Sequence, residues 1–338
     1  MAIFRELPVL DSTDGPDLPP ARPISPSQAA KILSGKKPEW LKIRPPAGES
    51  YGQIKELLKT GGLHTVCQEA HCPNVAECWA SGTATFILGG DTCTRACRFC
   101  AIKTARVPPP LDPAEPHQVA RSIAALKLKY VVLTSVDRDD LPDGGAGHFA
   151  ETIREIKRLD PSIFVEALVP DFKGDESAIR IVVDSGLDVY AHNIETVARL
   201  QYRVRDPRAG YEQSLKTLEY AKAYASTFRA ASRELFTKSS IMLGLGETPA
   251  ELDQAFDDLL AHRVGVVTLG QYLRPSLQHL PVEKYVTPAE FDELRVRAES
   301  KGFLYVAAGP MVRSSYRAGE LFIHGVLERR RGTQAQDT

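Results

Sequence analysis

Outside one stretch of 34 residues this sequence has no cysteine: all six lie between Cys67 and Cys100. That distribution argues against a disulfide framework, and in a reducing compartment such a dense group of thiols reads as metal ligation. No run of about 18 apolar residues is present, which argues against a membrane-spanning helix. A leader pattern is missing too. Asp11, Asp14 and Asp17 stand among prolines near the N-terminus, whereas a secretory signal needs an apolar stretch and a mitochondrial presequence is Arg-rich and poor in acid. The expectation is a cytoplasmic protein with no membrane partner. Nor is there an excess of either charge. Forty-two basic and 43 acidic residues leave a formal net charge of -1, so no global field marks a nucleic-acid binder, and any charged partner must be met locally. Internal repeats and low-complexity segments are absent beyond a β–α alternation.

Apolar material is plentiful: 43% of 338 residues is enough to fill a large core. Residues 1–50 are an exception, because Pro19, Pro20, Pro23, Pro26, Pro45 and Pro46 prevent any long helix there. They read as an extended arm. Lys36, Lys37, Lys42 and Arg44 make its second half basic around Trp40, either to face an acidic protein or simply as a solvated arm. Residues 51–83 carry the first three cysteines. From about residue 84, short apolar runs alternate with helical segments, the pattern of βα units and a parallel sheet. Six strands are expected, over Thr85 to Leu88, Tyr130 to Thr134, Phe164 to Val169, Val189 to Asn193, Ser240 to Leu243 and Val264 to Leu269. Thr248-Pro249-Ala250-Glu251 and Thr287-Pro288-Ala289-Glu290 are capping boxes with proline at the first helical position. This α/β body spans 84–275, and 276–338 form a C-terminal extension.

Six βα units build either an open doubly wound sheet or a partial barrel, and pattern alone does not separate them. In both, ligands gather at the C-terminal ends of the strands. Three of those ends are polar: Thr134-Ser135-Val136-Asp137, His192-Asn193-Ile194-Glu195 and Gly244-Leu245-Gly246-Glu247. Singly, such residues merely start loops; three at one rim point to a site.

The cysteines fall into two triplets, Cys67-x4-Cys72-x5-Cys78 and Cys93-x3-Cys97-x2-Cys100. Structural zinc usually takes four closed ligands, often from paired C-x2-C units, and only the second triplet has one such spacing. Three thiolates suit a 4Fe–4S cube better, because they leave one iron free for another ligand. A zinc module and a two-cluster electron-transfer protein remain alternatives, the latter disfavoured by the large βα body. The second triplet follows the first expected strand directly, after Gly89-Gly90-Asp91-Thr92, at the catalytic rim of a βα fold.

With Phe99 before its last cysteine, the second triplet resembles the signature of the radical S-adenosylmethionine superfamily. That resemblance implies a partial (β/α)6 barrel of the TIM type. It also implies that Cys93, Cys97 and Cys100 hold a cube whose fourth iron chelates the methionyl amino and carboxylate groups of S-adenosylmethionine. Cleavage of the cofactor by one electron would then give methionine and a 5′-deoxyadenosyl radical. Within the superfamily, the first triplet resembles that of the lipoyl synthases, as do Lys37-Pro38-Glu39-Trp40-Leu41, Glu69-Ala70-His71-Cys72-Pro73-Asn74, Arg98-Phe99-Cys100-Ala101 and Val312-Arg313-Ser314-Ser315-Tyr316. The likeness runs from about residue 36 to about residue 318.

This closer resemblance implies that the N- and C-terminal extensions carry an auxiliary 4Fe–4S cluster, the second of two, held by Cys67, Cys72, Cys78 and Ser315, with Ser314 as fallback. A hard alkoxide is an unusual iron ligand and a weak point at which such a cluster can open. The implied reaction inserts two sulfur atoms from the auxiliary cluster at C6 and C8 of an octanoyl group, using two cofactor molecules per product. Its carbons are too unactivated for acid–base chemistry, and the sequence has neither a Ser-His-Asp order nor an H-E-x-x-H motif. The implied substrate is octanoyl-lysine on a lipoyl carrier domain, of a 2-oxoacid dehydrogenase E2 subunit or the glycine cleavage H protein, with flavodoxin or ferredoxin as electron donor. Another radical sulfur-inserting or methylthiolating enzyme is the neighbouring alternative.

For the nucleoside of the cofactor, Asn193 and Glu195 offer hydrogen bonds suited to ribose hydroxyls and amino groups; the plainer reading is a capped strand-to-helix turn. Arg205 and Lys238 either neutralise a carboxylate or sit on the surface. Lys36 to Arg44 and Arg329-Arg330-Arg331 either steer the carrier or are solvated faces. Tyr224 to Phe236 is longer than the family pattern and is expected to form a helix-to-strand loop away from the chemistry.

Overall fold

Tyr130-Val131-Val132-Leu133 is apolar at every position rather than at alternate ones, as a parallel strand buried on both faces requires. Runs of this kind form the body of one sheet in the computed structural model, which describes residues 37–41, 64–65, 74–75, 84–230 and 233–315. In chain order the strands are β1 (His64–Thr65), β2 (Thr85–Leu88), β3 (Thr92–Cys93), β4 (Lys103–Thr104), β5 (Tyr130–Ser135), β6 (Phe164–Leu168), β7 (Val189–Ala191), β8 (Phe236–Leu243), β9 (Val266–Gln271) and β10 (Tyr305–Gly309). The main sheet runs β1-β2-β5-β6-β7-β8-β9-β10. Only β1 is antiparallel; β2 pairs in parallel with β5, and the parallel pairing continues through β10. Strands β3 and β4 form a separate parallel pair.

The helices are α1 (Glu115–Ala125), α2 (Ala146–Leu159), α3 (Glu176–Val183), α4 (Gln201–Val204), α5 (Tyr211–Ser226), α6 (Pro249–Ala261) and α7 (Pro288–Lys301). Both expected capping boxes form, with the Thr248 and Thr287 hydroxyls accepting from the Glu251 and Glu290 amides. Which face the helices cover decides the architecture. Phe86, Leu88, Val131, Leu133, Val165, Val267 and Leu269 pack with helix residues in one large core. Successive strand residues face opposite ways, and on the other face Tyr130, Val132, Val189, Phe236 and Val266 form a second cluster with Phe164 and Tyr305, built from strand residues alone. A doubly wound sheet has helices on both faces. Among the described residues they lie on one, which is the arrangement of a partial barrel.

The inner face is not wholly apolar. Lys238 is buried there and donates to both carboxylate oxygens of Glu166 at 2.7 and 2.9 Å, while the Tyr130 hydroxyl donates to Glu166 at 2.5 Å. Lys238 therefore neutralises a carboxylate, and its surface reading is wrong. Strand β8 begins four residues before the expected Ser240, because Thr237, Lys238 and Ser239 are polar residues that point into a satisfied interior. The sheet also continues by a seventh parallel strand, β10, inside the region read as an extension. Of the long segment Tyr224 to Phe236, the first residues finish α5 and the rest lead to β8 at the N-terminal end of that strand, away from the cysteine rim as expected. Arg229 fastens it, donating to the Leu187 and Val183 carbonyls at 2.8 and 2.7 Å. In the basic arm, Trp40 lies in a short 3-10 turn, 40% exposed, beside buried Leu41; Lys36, Lys42, Arg44 and Arg329 to Arg331 lie outside the described residues.

Candidate active site

At the C-terminal end of β2 the chain turns sharply through Gly89 and Gly90, both at positive φ (80° and 90°), a conformation glycine adopts without a steric penalty. The carboxylate of Glu115, itself paired with His148, accepts from the Gly89 amide at 2.8 Å. The loop that follows is bracketed by β3 and β4, with Cys93 in register with Thr104. Cys93, Cys97 and Cys100 are half-buried on it, with free thiols.

Backbone amides point at these sulfurs. Cys93 Sγ accepts from Arg95 N at 3.4 Å and from Asp137 N at 3.3 Å, and Cys97 Sγ accepts from Asp206 N at 3.3 Å. The loop is pinned on several sides. Thr94 N donates to the Asp137 carbonyl, Arg98 N to Val204 O, and His279 Nε2 lies 2.9 Å from the Cys100 carbonyl. These partners follow β5, end α4 and follow β9, so the C-terminal rim of the barrel converges on the triplet.

Burial pushes the thiols of Cys93 and Cys97 up to about 12 and that of Cys100 to about 11. Such thiols ionise only when a metal supplies the compensating charge. Among the described residues, no group of three His, Cys, Asp or Glu side chains is arranged to hold a single metal ion. Three thiols with amides aimed at their sulfurs fit an inorganic cube, whose sulfur ligands take such hydrogen bonds, better than a closed zinc site.

Asn193 and Glu195 stand at the exit of β7. Asn193 Nδ2 donates to Glu195 Oε1 at 3.1 Å. Glu195 extends the sheet, its amide donating to Ser240 O and its carbonyl accepting from Met242 N. Its φ of 64° is a left-handed conformation that costs a non-glycine residue about 1 kcal/mol or more. Burial raises the Glu195 carboxyl, Arg205 opposing, and the same carboxylate acts on the Cys100 thiol. Glu195 therefore lies near Cys100, with Asn193 bonded to its carboxylate. Arg205 is buried rather than on the surface: it donates to Ser214 Oγ at 2.8 Å and Gln201 Oε1 at 3.2 Å. The Ser214 hydroxyl in turn reaches His192 Nε2 at 2.9 Å, and His192 Nδ1 donates to the Val169 carbonyl at 2.8 Å. Burial pushes His192 down to about 4, so it is neutral at pH 7.

Cys67, Cys72 and Cys78 lie outside the described residues, but Asn74 is described. It is buried, and its Nδ2 donates to the Met311 carbonyl at 2.6 Å. Met311 opens the segment that leads to Ser314 and Ser315, both half-buried in a turn. This segment crosses β9 closely enough that a Cβ on Gly270 would fall 2.1 Å from Val312 O. The stretch just after Cys72 and the serine turn thus meet at the ends of β9 and β10.

Sequence reasoning missed the most heavily bonded group at the rim. Arg95 is 4% exposed. It grips Asp139 through Nε and Nη2 (2.9 and 3.0 Å) and Asp171 through Nη1 and Nη2 (2.8 and 2.7 Å). Asp137 Oδ1 lies 3.3 Å from Nε. Burial works against the Asp171 carboxylate, but the Arg95 fork outweighs it and holds the group well below the usual carboxylate range. Asp137, also buried, is raised to about 6 despite Arg95. The sequence signal was an arginine between two cysteines of the second triplet, with aspartates just past strands β5 and β6.

Comparison with known proteins adds to this geometry. A family model described as the radical SAM superfamily matches residues 87–259, and one described as the N-terminal domain of lipoyl synthase of the radical SAM family matches residues 27–72. The chain is 56% identical over 305 residues to a chloroplastic lipoyl synthase of Ricinus communis, covering 89% of this chain and 82% of that one. It is 57% identical over 308 residues to a lipoyl synthase of Halobacterium salinarum, with coverage of 90% and 96%. A lipoyl synthase of Myxococcus xanthus is 55% identical over 296 residues, with coverage of 88% and 97%.

Proposed function

The chain belongs to the lipoyl synthase family of the radical S-adenosylmethionine superfamily, and on that premise we propose a division of labour between its two cysteine triplets. The enzyme is a radical sulfur-inserting lipoyl synthase. In our reading Cys93, Cys97 and Cys100 hold a reducing 4Fe–4S cluster. Cys67, Cys72, Cys78 and Ser315 hold an auxiliary one, and Asn193 and Glu195 receive the nucleoside of S-adenosylmethionine. The acceptor is an octanoyl group on a lysine of a lipoyl carrier domain, whether of a 2-oxoacid dehydrogenase E2 subunit or the glycine cleavage H protein. Flavodoxin or ferredoxin supplies electrons, in the cytoplasm. Among the described residues no helix is long and apolar enough to cross a membrane.

The observation that carries the two-cluster reading is the 2.6 Å bond from Asn74 to Met311. Asn74 and Met311 are 237 residues apart in sequence, and their bond ties the segment after Cys72 to the stretch that leads into the Ser314–Ser315 turn, at the rim that also bears the second triplet. Sulfur donor and radical source would then share one rim, as positioning chemistry demands.

Bound there, the clusters and S-adenosylmethionine would supply the one-electron chemistry and the sulfur atoms that no side chain can provide. The protein's own residues position. The amides of Arg95, Asp137 and Asp206 fix two of the ligand sulfurs. The Glu195 carboxylate, oriented by Asn193, offers an acceptor to a ribose hydroxyl. Neutral His192 and Arg205 hold Ser214, bracing the strand end beneath.

Comparing Ser315→Ala with Ser314→Ala in anaerobically reconstituted protein tests this reading. Wild-type protein should hold about eight irons per chain. Ser315→Ala should still cleave the cofactor but no longer add sulfur to an octanoyl-lysine peptide, while Ser314→Ala adds it normally. Equal sulfur insertion by both variants would overturn the assignment of Ser315.

A further inference from the structure

We propose that Arg95 is a positioning residue for the reducing cluster: its grip on the residues after β5 and β6 fixes the amides aimed at the Cys93 sulfur and thereby sets the cluster's reduction potential. The inference rests on the reading that Cys93, Cys97 and Cys100 hold that cluster.

Two observations carry it. The first is the reach of the grip. Four N–H···O bonds join the guanidinium to both oxygens of Asp139 and both oxygens of Asp171, and such forked pairs fix orientation as well as charge. Thr94 adds to the same seam: its hydroxyl accepts from Asp139 N at 3.0 Å, and its amide donates to Asp137 O at 3.0 Å. Residues 94–95 and 137–139 therefore move as one body. That body carries both amides directed at Cys93 Sγ, from Arg95 and Asp137.

The second observation is charge. Two carboxylates already use the fork of Arg95, yet a third, Asp137, lies with Oδ1 at 3.3 Å from Arg95 Nε and Oδ2 at 3.7 Å from Cys93 Sγ. A carboxylate so close to a ligand sulfur opposes the arrival of an electron on the cluster. The buried cation offsets it. Hydrogen bonds to ligand sulfur and nearby positive charge both stabilise the reduced form, and net charge and such bonds are the levers by which proteins set cluster potentials. Loss of Arg95 removes the cation and loosens two N–H···S donors, and both changes make reduction harder. The amide aimed at Cys97 comes from Asp206, which is held by Arg208 and Ala96 N, and Arg208 also reaches Thr94 O at 2.7 Å and Asp139 at 3.3 Å, so it joins the same seam from the other side.

The test is a redox titration of the full-chain holoenzyme, following the electron paramagnetic resonance signal that changes when S-adenosylmethionine is added. Arg95→Lys keeps the charge but cannot make two forks; Arg95→Met loses both. At equal iron content, Arg95→Lys should shift the reduction equilibrium about tenfold toward the oxidised cluster, about 59 mV for one electron, and Arg95→Met further. Thr94→Val, which changes no charge and loosens the same seam, should shift it the same way by less. It decides the matter if the arginine variants do not fold. Unchanged potentials in folded, iron-replete variants would overturn the proposal. A wild-type protein with no cofactor-responsive cluster signal would instead overturn the assignment of the cysteines.

Discussion

Replacing Gly270 by alanine tests whether the serine turn must sit where it does. A Cβ on Gly270 would lie 2.1 Å from the Val312 carbonyl oxygen and 3.1 Å from its carbon, whereas real Cβ contacts essentially never fall under 3.0 Å. The obstacle is backbone, not the end of a flexible side chain. Strand β9 cannot yield, because it is paired in register with β8 on one side and β10 on the other. The Met311–Ser315 segment must therefore lift by about 1 Å. Overpacking of this kind costs about 1–3 kcal/mol of stability, and a misplacement near 1 Å cuts a positioned reaction on the order of 100-fold. The expected phenotype is selective. Sulfur insertion into an octanoyl-lysine peptide, followed by mass spectrometry under anaerobic reducing conditions, should fall by about that factor. Cleavage of S-adenosylmethionine to 5′-deoxyadenosine in the same reactions should stay near the wild-type rate. Normal sulfur insertion, or equal loss of both activities in a folded variant, would refute the placement of the serine turn.

Cys97→Ala should abolish cofactor cleavage, whereas Cys72→Ala should spare cleavage and stop sulfur transfer; matched losses in the two variants contradict separate roles for the triplets. Lys238→Met leaves the Glu166 carboxylate buried without its cation and should cost about 3–5 kcal/mol by chemical denaturation. Adding Glu166→Gln should recover most of it, and a wild-type midpoint for the single variant would count against the inner ion pair. Burial holds His192 at about 4 in the folded chain, against about 6.5 when unfolded. Below pH 6.5 the unfolded chain takes up a proton that the folded one refuses. This contribution to stability therefore falls as pH drops from about 6.5 to about 4, by on the order of 3 kcal/mol, and levels off below. His192→Gln should flatten that part of the profile, and an unchanged slope would remove His192 as its cause.

Much of the barrel was legible because its strands are buried on both faces. Tyr130-Val131-Val132-Leu133 and Val266-Val267 announce themselves without any partner in view. The capping boxes at Thr248 and Thr287 were equally plain, being satisfied within four residues. What failed to show were features whose reason lies far along the chain. The expected strand over Ser240 to Leu243 stops short of Thr237, Lys238 and Ser239 because the partner of Lys238, Glu166, is 72 residues away. Strand β10 is short and ends in Ala307-Ala308-Gly309, small residues rather than a strong apolar run, with Gly309 close against the Val312 side chain. The choice of barrel over doubly wound sheet depended on which face the helices cover, which no periodicity records. At the site, local pattern singled out the second cysteine triplet and the Asn193–Glu195 pair, and the structure places them at the ends of β2 and β7. The Arg95 seam was not, since Asp171 is 76 residues from it and a buried guanidinium looks in sequence like any surface arginine.

The central claim, that this chain spends its own auxiliary cluster as the sulfur source, is tested most directly by isotope. The auxiliary cluster is rebuilt with heavy-isotope sulfide, the enzyme is given an octanoyl-lysine peptide and S-adenosylmethionine with natural-isotope sulfide in the medium, and the first-turnover product is weighed. Two heavy sulfur atoms in the peptide are the predicted result. Deoxyadenosine formed without sulfur gain, or a product carrying only light sulfur, would contradict it.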